Sequence, residues 1–233
     1  MSEWARVAVG GVEVHTFDPP GARPACVLYL HSLAEESPAT DPAFTALLRE
    51  HRLRCAAPRG GWCWWTGRTC TEFPSPLSPE AFILTELVPW LEARYLLPAR
   101  SVALAGTEMG GHGAVRLALR HPERFPVAAS ISGAMDMHEW YGRGTPLDGM
   151  YESRERARLD TAVLHVGERE WPRHLWFACG EAEFAHRGND RLHEKLTAMG
   201  VPHVAELRAT GSQLGPMLAF VSAALAQEAR RLM

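Results

Sequence analysis

Residues 101–114 read Ser101-Val102-Ala103-Leu104-Ala105-Gly106-Thr107-Glu108-Met109-Gly110-Gly111-His112-Gly113-Ala114, and they decide the fold. The apolar run at 101–105 predicts a short strand. The small residues at 106, 110 and 111 predict a sharp turn, and the apolar spacing beyond predicts a helix over 111–120. Strand, tight turn and helix together lift the residue at the tip above the edge of a parallel sheet. The N–H that follows the tip is then offered to an oxyanion. Here the tip residue is Glu108.

On the N-terminal side, Val7, Val9, Val12 and Val14 alternate around Gly10-Gly11, a hairpin signal. The continuous apolar run Cys26–Leu30 predicts a buried strand ending at His31. Asp41-Pro42 opens a helix reaching about His51, with residue types favoured at N-cap and N1. A short strand follows at 54–57. Residues 58–78 hold Trp62, Trp64, Trp65, Cys63, Cys70 and three prolines, and read as a long functional loop. Ser78-Pro79-Glu80 restarts a helix carrying Phe82, Ile83, Leu87, Trp90 and Leu91 at helical spacing.

On the C-terminal side, Val127–Ile131 predicts a strand, and residues 134–172 are mixed, with a charged helical patch at 152–159. A strand at 175–179, a helix at 190–199 stopped by Gly200, a last strand at 203–207 and a closing helix from Gly215 complete the chain. This alternation predicts an α/β architecture: a mostly parallel, doubly wound sheet with helices on both faces. Its site belongs at the C-terminal ends of the strands.

Composition narrows the function classes. With 233 residues, 46% hydrophobic and 22% charged, the chain reads as one globular domain spanning 1–233. A net charge of −3 leaves no electrostatic footprint for nucleic acid. No run of about 18 apolar residues is present, so no membrane span is expected. The first residues lack the basic-then-apolar pattern of a signal peptide. The five cysteines are odd in number and form no C-x-x-C, so free thiols and a cytoplasmic location are expected. Cys26, Cys55 and Cys179 sit in apolar runs and read as core residues. No cofactor motif and no metal-ligand spacing is found, so neither a cofactor nor a metal is expected.

The segment Gly106-Thr107-Glu108-Met109-Gly110-Gly111-His112-Gly113-Ala114 resembles that of the esterase D, S-formylglutathione hydrolase and feruloyl esterase group of α/β-hydrolases. That group carries G-x-S-M-G-G-x-G-A at this turn. Leu117-Ala118-Leu119-Arg120-His121-Pro122-Glu123-Arg124-Phe125 and Ser130-Ile131-Ser132-Gly133 are also similar to the family. The one mismatch within the turn is the nucleophile, which is Glu108 instead of serine.

The resemblance implies an α/β-hydrolase fold, with the 58–78 loop and the 134–172 segment as insertions rimming the site. It implies serine-esterase ancestry and places two more catalytic positions by chain order. The acid position falls on Glu183, in Cys179-Gly180-Glu181-Ala182-Glu183-Phe184. The histidine position falls on Ser212, to within one residue, in Ala209-Thr210-Gly211-Ser212-Gln213-Leu214. No histidine follows His203. The implied oxyanion hole is the N–H of Met109 with that of Ser32 or Leu33, where the family has His-Gly and this chain has His31-Ser32.

A serine hydrolase needs a base for its hydroxyl and an acid to orient the base. With Glu108, Glu183 and Ser212 at the three positions, the triad is degenerate and the usual acyl-enzyme route is closed. Two readings of Glu108 stay open: a carboxylate nucleophile, or a carboxylate folded into the oxyanion hole against the helix N-terminus. A metal held by Glu108, Glu183 and His31 or His186 matches no known spacing. His31, Trp64, Trp65 and Trp140 are candidate pocket-lining residues for a small acyl or aromatic ligand. The opposing reading is that the rings only pin the loop to the core.

The leading functional expectation is therefore an esterase-family pseudoenzyme acting as a binding or partner protein. The alternative is an ester or thioester hydrolase with displaced or carboxylate-based groups, and a third reading is a ligand sensor. A histidine ring within hydrogen-bonding distance of a serine hydroxyl in the same cleft would overturn this expectation. Oligomeric state is not legible.

Overall fold

The computed structural model describes residues 4–167 and 170–231. Residues 168 and 169, inside the expected 134–172 insertion, lie outside the described residues, as do 1–3 and 232–233 of the expected 1–233 span.

Strands β1 (Trp4–Val9) and β2 (Val12–Phe17) form an antiparallel hairpin. Gly10 and Gly11 turn it with φ of 52° and 83°, values that suit the two-residue turns matching strand twist. Then follow β3 (Cys26–Leu30), α1 (Pro42–His51) and β4 (Arg54–Pro58). Helix α1 starts where its cap allows: the Asp41 carboxylate accepts from the N–H groups of Ala43 and Phe44 at 2.8 and 3.1 Å. Residues 59–78 contain neither helix nor strand.

Helix α2 (Pro79–Phe82) runs through a π-helical turn (Ile83–Leu87) into α3 (Val88–Tyr95), a finer division than the single expected helix. Next come β5 (Val102–Thr107), α4 (Met109–Arg120) and β6 (Val127–Ile131). The mixed segment contains α5 (Leu147–Met150) and α6 (Arg154–Leu159) with 3-10 turns at Met137–Trp140 and Ala162–His165. The chain closes with β7 (His174–Ala178), α7 (His186–Ala198), β8 (Val204–Glu206) and α8 (Leu214–Arg231).

Helix α4 begins two residues before its expected start at 111, because Gly110 and Gly111 belong to its first turn and not to the elbow. Helix α7 likewise begins at His186 instead of 190. The sheet order is β1-β2-β4-β3-β5-β6-β7-β8, antiparallel up to β4 and parallel from there on.

Alternation divides each central strand between two cores. Cys26, Leu28 and Leu30 of β3 face one with Phe82, Leu91, Val115 and Leu192. Val27 and Tyr29 face the other with Phe44, Leu48, Met217 and Val221 of α1 and α8. Each fully buried Leu or Phe stabilises by roughly 1.5–3 kcal/mol. All five cysteines are buried free thiols. Among the described residues no helix is long and apolar enough to cross a membrane.

Candidate functional site

Glu108 joins β5 to α4 with φ 47° and ψ −111°, a conformation that strains a residue bearing a Cβ. Packing forces it. A Cβ on Gly110 would lie 1.9 Å from the Leu30 carbonyl oxygen, and one on Gly106 would lie 2.4 Å from the Gly110 carbonyl carbon. Only glycine at both places lets strand and helix meet this closely. The Glu108 backbone is pinned as well. Its N–H donates to the Ile131 carbonyl at 3.0 Å, and its carbonyl accepts from His112 at 3.0 Å and Ala134 at 2.9 Å.

The Glu108 side chain is exposed, and its carboxylate makes no hydrogen bond among the described residues. This corrects the expectation of a carboxylate folded back onto the N–H groups of Met109 and Ser32 or Leu33: the turn that raises the side chain also carries it clear of them. Met109 is fully buried at the head of α4. In the loop after β3, the Ser32 hydroxyl accepts from Ala34 at 3.1 Å, and Leu33 packs against the core.

A cleft of about 400 Å³ opens at the C-terminal ends of β5, β6 and β7. Thr107, Ser132, Cys179, Glu183 and Ser212 line it, facing a wall formed by residues 36–41. The structure thus brings Glu183 and Ser212 to one cleft. Glu108 adjoins it through Thr107 without lining it. Glu183 accepts from the Gly180 N–H at 2.7 Å. Burial, and then the Glu183 charge, push the Cys179 thiol up to about 12, so it is no thiolate nucleophile near neutral pH. The Ser212 hydroxyl lies exposed at the head of α8, 3.5 Å from the Leu214 N–H.

A second hollow of about 160 Å³ adjoins, lined by Ala134, Met135, Trp140, Phe184 and Gly188. Trp140 and Phe184 meet edge-on at 5.8 Å, and Phe184 is 69% exposed. The two hollows are neighbours through Glu183-Phe184. The Glu108 carbonyl accepts from the N–H of Ala134, which lines the second hollow.

Of the four expected lining residues, Trp140 alone borders either hollow. Trp64 and Trp65 have no accessible surface, and His31 is 2% exposed. Their expected place on the pocket wall is corrected: these rings fill the core beneath it. The reason lies on α4, where Gly113 lets Trp65 in so far that a Cβ there would be 2.5 Å from the Trp65 Cβ. His31 is a neutral strut. Its Nδ1–H donates to the Ser32 carbonyl at 2.8 Å and its Nε2 accepts from the Gly60 N–H at 3.0 Å. Burial pulls its pKa down to about 4.

One constellation escaped the sequence. On the 36–41 wall, Ser37 Oγ lies 2.5 Å from His15 Nδ1, and His15 Nε2 lies 3.0 Å from Glu13 Oε1. An imidazole therefore does stand beside a serine hydroxyl at this cleft, which corrects the expectation that none would. The signals were present in outline: a histidine within the buried run of β2, and a serine before proline. Nothing in the spacing connects residues 15 and 37.

Comparison with known proteins agrees with this architecture. The sequence pattern of the family described as "Putative esterase" matches residues 20–207. Esterase Rv1288 of Mycobacterium tuberculosis is 33% identical over 176 residues, covering 63% of this chain and 38% of that protein. The chain thus spans about two fifths of the length of the curated relative it matches. Among solved structures, M. tuberculosis MPT51 superposes with a TM-score of 0.73 at 20% identity, covering 97% of this chain and all of that one. An S-formylglutathione hydrolase from Agrobacterium tumefaciens superposes at 0.70 with 17% identity, covering 95% and 90%. At such identities the structural likeness speaks for the fold, and the match over most of the sequence speaks for ancestry: this chain belongs to the esterase family of α/β-hydrolases.

Proposed function

We propose that this chain binds a small ester-like or aromatic ligand at the mouth of the strands and does not run serine hydrolysis through the elbow. The observation that carries the reading is Glu108 itself, an exposed carboxylate at the tip with no imidazole hydrogen-bonded to it among the described residues. Glu183 and Ser212, at the other two family positions, supply a carboxylate and a hydroxyl but no imidazole. Among the described residues lining the larger hollow there is no histidine, lysine or arginine. Elbow-based acyl transfer needs a proton carrier there. The two adjoining hollows, one polar and one rimmed by Trp140 and Phe184, suit a ligand with a polar end and an aromatic end.

A second reading is favoured by Ser37. There His15 Nδ1 would take the Ser37 proton as Oγ adds to an ester carbonyl, with Glu13 supporting the imidazolium through Nε2–H. The alcohol would leave with that proton, and water would hydrolyse the acyl-serine. The binding reading is preferred because the Ser37 hydroxyl already accepts from the Ala39 N–H at 3.2 Å as the cap of the Pro38–Thr40 turn. In addition, the Glu13 side chain is 52% exposed.

One experiment separates the two. The protein, its Ser37→Ala variant and its Glu108→Gln variant are incubated with a fluorophosphonate probe and with p-nitrophenyl acetate, and any adduct is located by mass spectrometry. The binding reading expects no adduct and no turnover, with saturable quenching of tryptophan fluorescence by phenyl acetate. An adduct on Ser37, lost in Ser37→Ala, establishes the second reading. Turnover abolished by Glu108→Gln, or no quenching by phenyl acetate, defeats the first.

A further inference from the structure

The far half of α4 carries a second concentration of charge, 8 to 12 residues beyond Glu108 and hence about 12–18 Å along the helix axis. Arg116 is 2% exposed and sits between two carboxylates. Its Nη1 donates to Glu80 Oε2 at 2.6 Å, and its Nε and Nη2 donate to Asp160 Oδ1 at 3.0 and 2.5 Å. Glu80 Oε1 also meets Arg120 Nε at 2.9 Å and His121 Nε2 at 2.7 Å. Asp160 also meets His165 Nε2 at 2.9 Å and the Tyr151 hydroxyl at 2.6 Å. Burial raises both carboxyls. Donation from His121 to Glu80 and from His165 to Asp160, with the Arg116 charge, outweighs it and holds both well below the ordinary range.

These two acids are fully supplied with donors, yet more cations stand beside them. A solvent-open hollow of about 290 Å³ is lined by Arg116 and Arg120 of α4, Arg68 of the 59–78 loop, Arg156 of α6, Gly67 and Asp160. Arg68 lies over the Tyr151 ring at 5.6 Å. Neither Arg68 nor Arg156 makes an ion pair among the described residues. Four guanidinium groups against Glu80 and Asp160 leave two positive charges in excess, on a chain whose net charge is −3.

We propose that this hollow binds a phosphate dianion, either inorganic phosphate or a phosphomonoester. The excess charge equals that of the dianion. Guanidinium forks present paired N–H donors matched to phosphate oxygens, and Arg68 and Arg156 keep theirs free. The site stands apart from the cleft and does not depend on what the cleft binds.

Isothermal titration of the full chain with inorganic phosphate and with phenyl phosphate, at low ionic strength, tests it. The comparison is with the Arg68→Gln/Arg156→Gln double variant, whose altered side chains make no hydrogen bond or ion pair to Glu80 or Asp160 among the described residues. Saturable binding is expected, weakening with added salt and falling about tenfold or more in the variant, since bonds to charged groups are the strong ones. Tighter binding of phenyl phosphate identifies an ester as the occupant; equal or tighter binding of inorganic phosphate identifies the free anion. Absence of binding, or equal affinity in the variant, overturns the proposal. Circular dichroism of the variant, expected to match the parent, excludes misfolding as the cause of a loss.

Discussion

The two ends of α4 hold carboxylates under opposite conditions. Near its C-terminal half, Glu80 and Asp160 are enclosed by Arg116, Arg120, His121, His165 and Tyr151, and their oxygens all receive donors. At its N-terminus, Glu108 stands on a strained backbone, exposed, with no donor to its carboxylate among the described residues. The first arrangement is what a buried charge requires: desolvation is tolerated only when pairing and hydrogen bonds offset it. The second stabilises nothing that the structure displays. Residues 108, 112, 116 and 120 recur every four positions along the helix, so the contrast develops in little more than three turns. His112, between the extremes, is fully buried, accepts from the Ala162 N–H at 3.2 Å and has its pKa pulled down to about 3 by burial.

The largest effect should come from breaking the enclosed end. Arg116→Met leaves Glu80 and Asp160 buried without their shared counter-charge, and denaturant unfolding at neutral pH should show a loss of about 3–5 kcal/mol. A loss below about 1 kcal/mol would mean that the network is not holding these acids ionised, and the contrast would collapse.

Acid should act on the middle of the helix and on the loop after β3. His31 and His112 titrate near 4 and near 3 when folded, against 6.5 when free. The unfolded chain therefore takes up protons that the folded chain refuses as pH drops below 6.5. Stability should fall through that window by on the order of 1 kcal/mol per pH unit for each ring, and the decline should end once the folded rings also protonate. Glu80 and Asp160, with lowered folded pKa values, add to the loss only once the unfolded carboxyls begin to protonate, below about pH 4.3. Thermal melts at pH 7 and pH 5 check the first part, and equal melting temperatures would refute it.

The smallest effect should have the opposite sign. Glu108→Gly removes a Cβ from a residue at φ 47° and breaks no hydrogen bond, so it should raise stability by about 1 kcal/mol. A decrease on thermal unfolding would reveal a partner for the carboxylate and bring the two ends closer in kind.

What the sequence disclosed follows from distance along the chain. The elbow is local: the strand, the turn glycines and the start of the helix lie within the fourteen residues 101–114, and both its shape and its glutamate are readable there. The sheet followed from the alternation of apolar runs. The Arg116 network joins residues 36 and 44 positions apart, and Ser37 meets His15 across 22 positions, so periodicity carries no trace of either. Trp64 and Trp65 misled for another reason. Tryptophans among glycine, cysteine and proline suggest an exposed functional loop, whereas Gly113 gives Trp65 room beneath the surface. The start of α4 is hidden in the sequence because glycines that permit close packing look, in one dimension, like a turn.

The 1.9 Å approach of a would-be Gly110 Cβ to Leu30 has an implication for redesign. With no slack between helix and strand, the mount at 108 is finished before its occupant is chosen, and its shape is indifferent to the chemistry it displays. An engineer installing a hydroxyl or a thiol there inherits the alignment ready-made and still has to supply a proton carrier beside it.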